Sequence, residues 1–187
     1  MTPSTLNATK WTVDDYHRMI EAGILSDRQV ELLNGVIVDM SPEGTSHAAY
    51  SQDFADYLRS VLGNRVRIRE AKPVTLSPNS EPEPDIAVVA PHPVSVYLEH
   101  HPYPADIFWV IEYSNSSLTK DLEAKNVIYA AASIPEYWVV NLKTKELILF
   151  REPQPTGYRL QTPYTAETIA PLAFPEVAIA VSRLLNG

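Results

Sequence analysis

Two short apolar runs, each bordered by a carboxylate, are the strongest constraint on how this chain folds. They cover residues 86–90 and 107–111; Asp85 precedes the first run and Glu112 follows the second. Uninterrupted apolar runs of this length are typical of strands that are buried on both faces of a sheet. A carboxylate at the end of such a strand needs a cation or hydrogen-bond donors to offset the cost of its desolvation.

The relation between the two carboxylates depends on how the strands pair. If they are antiparallel neighbours, the start of the first strand lies beside the end of the second, and Asp85 and Glu112 meet at one edge of the sheet. Taken singly, Asp85 is better explained as a turn cap after Pro84, and Glu112 as the partner of a structural lysine or arginine. Their matching positions favour a metal site. Two carboxylates with the backbone carbonyl of Tyr113 suit Mg²⁺ or Mn²⁺ rather than Zn²⁺.

A helix is predicted over residues 119–132, shortly after the second apolar run. Thr119 is a suitable N-cap and Asp121 suits the first turn. Apolar residues recur at spacings of three and four along this segment, and Lys125 falls on the same stripe. A lysine on a core-facing stripe is costly unless its ammonium group reaches a polar pocket. The alternative is a solvent-exposed ion pair between Asp121 and Lys125, which are four residues apart.

A β-hairpin is predicted near the N-terminus. Residues 30–33 and 36–40 have strand character and are joined by Asn34-Gly35, the sequence preferred in type I′ turns. Glu31 lies in the first of these strands, where a lone carboxylate is most often exposed.

A second helix is predicted over residues 46–62, with Ser46 as its cap and His47 at the head of its apolar stripe. Histidines in that position more often cap or pack than catalyse, although His47 could orient a phosphate or carry a proton. Strands are predicted to follow at residues 65–69 and 72–76.

Composition limits the class of protein. A length of 187 residues suits one domain, predicted over residues 11–187 after a loose tail of residues 1–10. The chain is 45% hydrophobic and 20% charged, as in globular proteins, and it has no cysteine, which excludes disulfides and thiolate metal sites. The apolar runs are too short to span a bilayer and the N-terminus lacks the features of a signal peptide. We therefore expect a cytoplasmic protein without membrane contact.

Several short motifs, taken in order, resemble one family of nucleases. Pro84-Asp85 followed by Glu112-Tyr113-Ser114 resembles the PD-(D/E)XK nuclease superfamily, whose acidic triplet normally ends in lysine. Here that position is a serine, and the chain resembles more closely the Uma-two family of endonucleases, a branch that carries its lysine on the following helix. The matching stretches lie between about Tyr16 and Leu185 and comprise residues 30–35, 46–47, 84–86, 110–112, 121–125 and 136–140.

This resemblance implies a restriction-endonuclease-like α/β fold, with a central mixed β-sheet flanked by helices and an N-terminal β-hairpin. It also implies a DNA endonuclease that uses Mg²⁺ or Mn²⁺ and hydrolyses phosphodiester bonds with metal-activated water. In such an enzyme Asp85 and Glu112 hold the metal and Lys125 activates water. Glu31 becomes a third acidic group and His47 a supporting residue. Nucleases that cut both strands often work as homodimers, so a homodimer is a further expectation.

The net charge of −8 opposes tight binding to a long DNA duplex, because proteins usually meet a phosphate backbone with a basic surface. The alternative function is therefore a non-catalytic nuclease-fold module that binds nucleic acid or protein. Paired carboxylates also serve glycoside hydrolysis, but sugar-stacking aromatic residues do not accompany both acids. Retention of every expected catalytic residue type favours the nuclease.

Overall fold

The computed structural model describes residues 8–76, 78–115 and 117–186. The predicted loose tail, residues 1–10, lies outside the described residues except for its last three. The helices of the described part are α1 (Val13–Glu21), α2 (Thr45–Leu62), α3 (Val94–Glu99), a π-helix (Lys120–Lys125), α4 (Asn126–Ala131) and α5 (Ser182–Asn186), with two short 3-10 helices at Gly63–Arg65 and Pro104–Asp106. The strands are β1 (Val30–Leu33), β2 (Val36–Asp39), β3 (Arg67–Glu70), β4 (Ile86–Val89), β5 (Ile107–Ser114), β6 (Glu136–Asn141), β7 (Glu146–Gln154), β8 (Gly157–Tyr164), β9 (Thr168–Ile169) and β10 (Ile179–Ala180). Within these ranges, no helix has both the length and the apolar character needed to cross a membrane.

Six strands form the central sheet, in the order β3-β4-β5-β6-β7-β8. β5 and β6 are parallel and every other neighbouring pair is antiparallel, so the sheet is mixed, as predicted. The two apolar runs form β4 and β5, which pair antiparallel with Ile86 opposite Ile111. This confirms the predicted strand pairing. Continuing the register by one residue places Asp85 opposite Glu112.

Side chains alternate across the sheet and pack into two cores. One face lies under α2 and α5, with Trp109 and Trp138 among its largest side chains. The other face lies under α4, where Tyr129 belongs to the same core as Val110. Because residues two apart on a strand share a face, Glu112 points to the α4 side together with Val110. The acid therefore meets the helix that follows its own strand in the sequence.

The N-terminal hairpin folds as predicted. Positive φ angles of 48° at Asn34 and 75° at Gly35 fit a type I′ turn. Leu32 of β1 also forms an isolated bridge to Glu81, in the chain that leads into β4. This bridge docks the hairpin against the body of the protein and leaves Glu31 fully buried, unlike a typical hairpin carboxylate.

Two local predictions for the segments before β4 are wrong. Helix α2 begins at Thr45 without a side-chain cap, so Ser46 lies inside the first turn instead of capping it. Residues 72–76 do not form a strand; within this segment Leu76 makes only an isolated bridge. After β3, Ala71 adopts a positive φ of 44°, which turns the chain away from the sheet before a further strand can pair.

The helix after β5 begins in a geometry that the sequence did not indicate. Thr119, the predicted N-cap, has helical angles of φ −63° and ψ −43° and belongs to the helix itself. Lys120–Lys125 form a π-helix, and α4 continues from it as an ordinary α-helix. π-helices are rare and are frequently found at functional sites. A helix over this segment is thus confirmed, but the half that carries Lys125 is wound differently.

Glu136 at the start of β6 provides a test of what holds the sheet together. Its buried carboxylate accepts hydrogen bonds from Trp138 Nε1 at 2.9 Å, Arg151 Nη2 at 2.7 Å and the amide of Leu172 at 2.7 Å. Glu136→Ala should lower the free energy of unfolding by about 2–4 kcal/mol, because buried donors and one guanidinium group lose their acceptor. Unfolding in urea, followed by circular dichroism, measures this loss.

Arg159→Ala is the matched control on the same sheet. Arg159 pairs with Glu152, but the two side chains are 61% and 44% exposed, so their interaction should contribute less than about 1 kcal/mol. Equal losses of stability in the two variants would contradict the importance given to the buried pair.

Candidate metal centre

A cavity of about 240 Å³ opens at the edge of the sheet where β4 begins and β5 ends. Glu31, His47, Asp85, Glu112 and Lys125 all line it, so the five side chains proposed from the sequence lie together. They come from the hairpin, from α2, from the central strands and from the π-helix. Tertiary packing brings these separate segments to one place.

Asp85 is held at one of its two oxygens. The backbone amide of Tyr113 donates to Oδ2 at 2.6 Å, and His47 Nε2 lies 2.9 Å from the same oxygen. None of the described residues donates to Oδ1. The amide of Tyr113 thus fixes Asp85, while metal binding by the carbonyl of Tyr113 stays a prediction.

His47 lies between two carboxylates near the start of α2. Its Nδ1 is 3.5 Å from Glu43 Oε2, close enough for attraction between charges but without a hydrogen bond. Burial by itself would lower the pKa of His47, but the hydrogen bond to Asp85 and the charges of Asp85 and Glu43 raise that pKa to about 9. In this arrangement the imidazole is therefore a cation at neutral pH.

Glu112 is 3% exposed at the end of β5. Lys125 Nζ and the hydroxyl of Tyr129 each donate to Oε1 at 2.8 Å, and no described residue donates to Oε2. Loss of hydration and repulsion from Asp85 and Asp121 raise the pKa of Glu112 above its ordinary value, while the attraction of Lys125 favours the ionised form. A further cation beside Oε2 would favour the ionised carboxylate.

Lys125 is 3% exposed and lies between two acids. Its Nζ is 2.8 Å from Glu112 Oε1 and 3.4 Å from Glu31 Oε2. Burial by itself would lower the pKa of Lys125, but Glu112, Glu31 and Asp121 raise it above its ordinary value. For the acid Glu31 the directions are reversed. Burial by itself would raise the pKa of Glu31, but the charges of Lys125 and Lys120 bring it below its usual range.

Asp121 anchors the π-helix. Ser114 Oγ and Ser117 Oγ donate to Asp121 Oδ2 at 2.6 and 2.7 Å. The serine that replaces the usual lysine of the acidic triplet therefore holds the helix that carries Lys125. An exposed ion pair between Asp121 and Lys125, the alternative considered from the sequence, is wrong because both side chains are buried and Lys125 bonds Glu112.

Sequence reasoning missed three charged residues that line the cavity, namely Lys120, Glu43 and Glu83. The amide of Glu83 donates to Glu31 Oε2 at 3.2 Å, and burial with the charge of Glu31 raises the pKa of Glu83. Acids alternate with prolines over residues 81–85, a pattern that suits an extended segment with its acids on one side. That pattern was the available signal for Glu83.

The donor set fits a small divalent cation. Asp85 and Glu112 each have one oxygen tied to protein donors and one oxygen that no described residue bonds, and both acids line the cavity. Ligand atoms of Glu43, His47 and Asp85 also lie within 4.8 Å of one another. Because His47 Nε2 already faces Asp85 Oδ2, the carboxylate oxygens without protein donors are the suitable ligands, and oxygen ligands suit Mg²⁺ or Mn²⁺.

Comparison with known proteins gives the family and the fold. The model of the Uma2 family, described as "Putative restriction endonuclease", matches residues 13–182. No curated protein matches the chain. Among solved structures, the fold is similar to that of a putative nuclease belonging to DUF820 from Anabaena variabilis ATCC 29413, with a TM-score of 0.64 and 15% sequence identity over 83% of this chain and 88% of that chain.

At this low identity the solved structure shows a shared fold, the α/β arrangement of a mixed sheet flanked by helices. The family match is independent of it and extends from the first residue of α1 to the first residue of α5. On this evidence the chain belongs to the Uma2 family of restriction-endonuclease-like proteins.

Proposed function

We propose that this protein is a metal-dependent endonuclease that hydrolyses phosphodiester bonds of DNA. Membership of the Uma2 family and the fold of the similar nuclease support a nuclease. The observation that carries the proposal is the placement of Asp85 and Glu112 at facing strand ends, each with one oxygen free of described protein donors, beside the buried Lys125.

In this proposal Asp85 and Glu112 would hold Mg²⁺ or Mn²⁺. When bound, the cation supplies charge that polarises a phosphoryl oxygen and lowers the pKa of a coordinated water. His47 and the amide of Tyr113 fix the carboxylate of Asp85, and Lys125 fixes that of Glu112. Such supporting contacts set the orientation of the ligands in advance, which is what distinguishes an effective metal site from a loose pair of acids.

Lys125 serves as a fixed cation in this mechanism. The surrounding acids raise its pKa, so it keeps its proton at neutral pH and is unsuited to remove one from water. It can still orient a nucleophilic water by donating a hydrogen bond. Its charge also offsets the repulsion among the acids that meet at the cavity.

The acidic composition bears on the alternative function. A module that only binds nucleic acid depends on a basic surface, because most non-specific affinity comes from contacts with phosphates. This chain has a net charge of −8, which disfavours a module that binds only nucleic acid and leaves a protein-binding module as the alternative. A cation site at the cavity would instead give the phosphate a local partner without a broad basic face.

Metal binding should stabilise the folded protein. Mn²⁺ at a hundred times its dissociation constant should raise the free energy of unfolding by about 2.7 kcal/mol, because the cation binds carboxylates that meet only in the folded state. Asp85→Asn and Glu112→Gln should each remove most of this gain. Thermal unfolding and titration calorimetry with Mn²⁺ measure both quantities.

Glu152→Gln, on the exposed part of β7, should keep the full gain. A wild-type melting temperature that does not change in millimolar Mn²⁺ would leave the metal site without support.

DNA cleavage should depend on the same acids. Labelled single-stranded and duplex oligonucleotides, incubated with Mg²⁺ or Mn²⁺ and resolved on a gel, should be cut by the wild type. Asp85→Asn and Glu112→Gln should slow cleavage by at least about a hundredfold, because losing the cation removes several kcal/mol of transition-state stabilisation. Glu152→Gln is again the control. A folded wild type that binds Mn²⁺ but cuts neither form of DNA would instead favour the non-catalytic module.

A further inference from the structure

A second lysine of the cavity has a different environment from Lys125. We propose that Lys120 is the residue that contacts the phosphate group of the substrate, and that Lys125, bonded to Glu112, does not contact that phosphate. This inference rests on the proposed nuclease function and assigns its phosphate-binding residue. Two lysines would then share the roles that the single lysine of the usual acidic triplet has.

The π-helix is what brings the two lysines together. Lys120 and Lys125 are its first and last residues, five positions apart. In an α-helix, five residues correspond to a rotation of about 140° beyond a full turn, so the two side chains would point in different directions. In a π-helix, hydrogen bonds join residues five apart and place such residues nearly above one another. Both ammonium groups consequently reach Glu31, at 2.8 Å from Lys120 and 3.4 Å from Lys125.

The two lysines differ in access to the cavity. The side chain of Lys125 is 4% exposed and its ammonium group lies between two acids. The side chain of Lys120 is 28% exposed. Among the described residues, only Glu31 accepts a hydrogen bond from it. An ammonium group carries three donors. Lys120 can thus keep its bond to Glu31 and donate to a phosphate at the same time.

The position of Lys120 is also fixed through its neighbour in the chain. Asp121 is 2% exposed and its carboxylate accepts from Ser114 and Ser117. Its backbone carbonyl accepts from the hydroxyl of Tyr137 at 3.1 Å. These contacts hold the start of the π-helix against the sheet, so Lys120 is oriented before any substrate arrives.

Charge makes such a contact necessary. The residues lining the cavity include six with carboxyl groups: Glu31, Glu43, Glu83, Asp85, Glu112 and Asp121. A phosphate entering this cavity meets repulsion unless a cation faces it. His47 is also a cation of the cavity lining, but its Nε2 faces Asp85, and Lys125 is bonded to Glu112. Besides a bound metal ion, Lys120 is therefore the partly exposed lysine available to a phosphate among the described lining residues.

Salt dependence of binding tests the assignment. A fluorescent single-stranded oligonucleotide is titrated with protein in Ca²⁺ at several salt concentrations, and a gel confirms that it stays intact. In Lys120→Met the magnitude of the slope of log affinity against log salt should fall by about 0.7, the value of one lost phosphate contact on a single strand. Lys120→Arg should restore the wild-type slope. Arg159→Met, which also removes one positive charge but lies outside the cavity, should leave the slope unchanged.

A parallel titration with Mn²⁺ separates phosphate binding from an effect on the acids. Lys120→Met should keep the Mn²⁺ affinity of the wild type within a few-fold. An unchanged salt slope in Lys120→Met, or a loss of Mn²⁺ affinity of tenfold or more, would overturn the assignment while leaving the nuclease proposal in place. A wild type that binds no oligonucleotide and cuts none would overturn both.

Discussion

The ion pair between Lys125 and Glu112, with 2.8 Å between Nζ and Oε1, is the interaction on which the rest of this structure depends. Both residues are 3% exposed, and either charge alone in that interior would cost several kcal/mol. β5 must therefore end against the helix that follows it. This requirement places the connection between the parallel strands β5 and β6 over one face of the sheet, and with it the whole carboxylate cluster.

An excess of acid over base around that pair gives the site its chemical character. Loss of hydration and neighbouring acids raise the pKa of both Glu112 and Glu83, while two lysines lower that of Glu31. A raised pKa means that the ionised carboxylate is unfavourable without a further cation. A divalent metal ion stabilises the ionised form of such acids. The net charge of −8 also disfavours a broad DNA-binding face, because such faces are usually basic.

Local patterns were sufficient to predict the strands that matter. Uninterrupted apolar runs gave β4 and β5, and Asn34-Gly35 gave the hairpin turn, because each depends on interactions between close neighbours in the sequence. The prediction of a strand at residues 72–76 was wrong because the left-handed conformation of Ala71 redirects the chain, which no propensity reports. Helical periodicity also could not separate α from π winding, and for that reason Lys120 was missed.

The sequence by itself determined which charges lie where burial is costly, and the pairing of two apolar strands that sets Asp85 opposite Glu112. Tertiary structure decided the remainder of the site. The docking of Leu32 against Glu81 brings Glu31 into the cavity, and the packing of α2 brings His47 to Asp85. Such positions depend on distances between segments that are remote in the chain. Those distances follow from how whole elements pack against each other, which is a property of the folded core and not of any local run of residues.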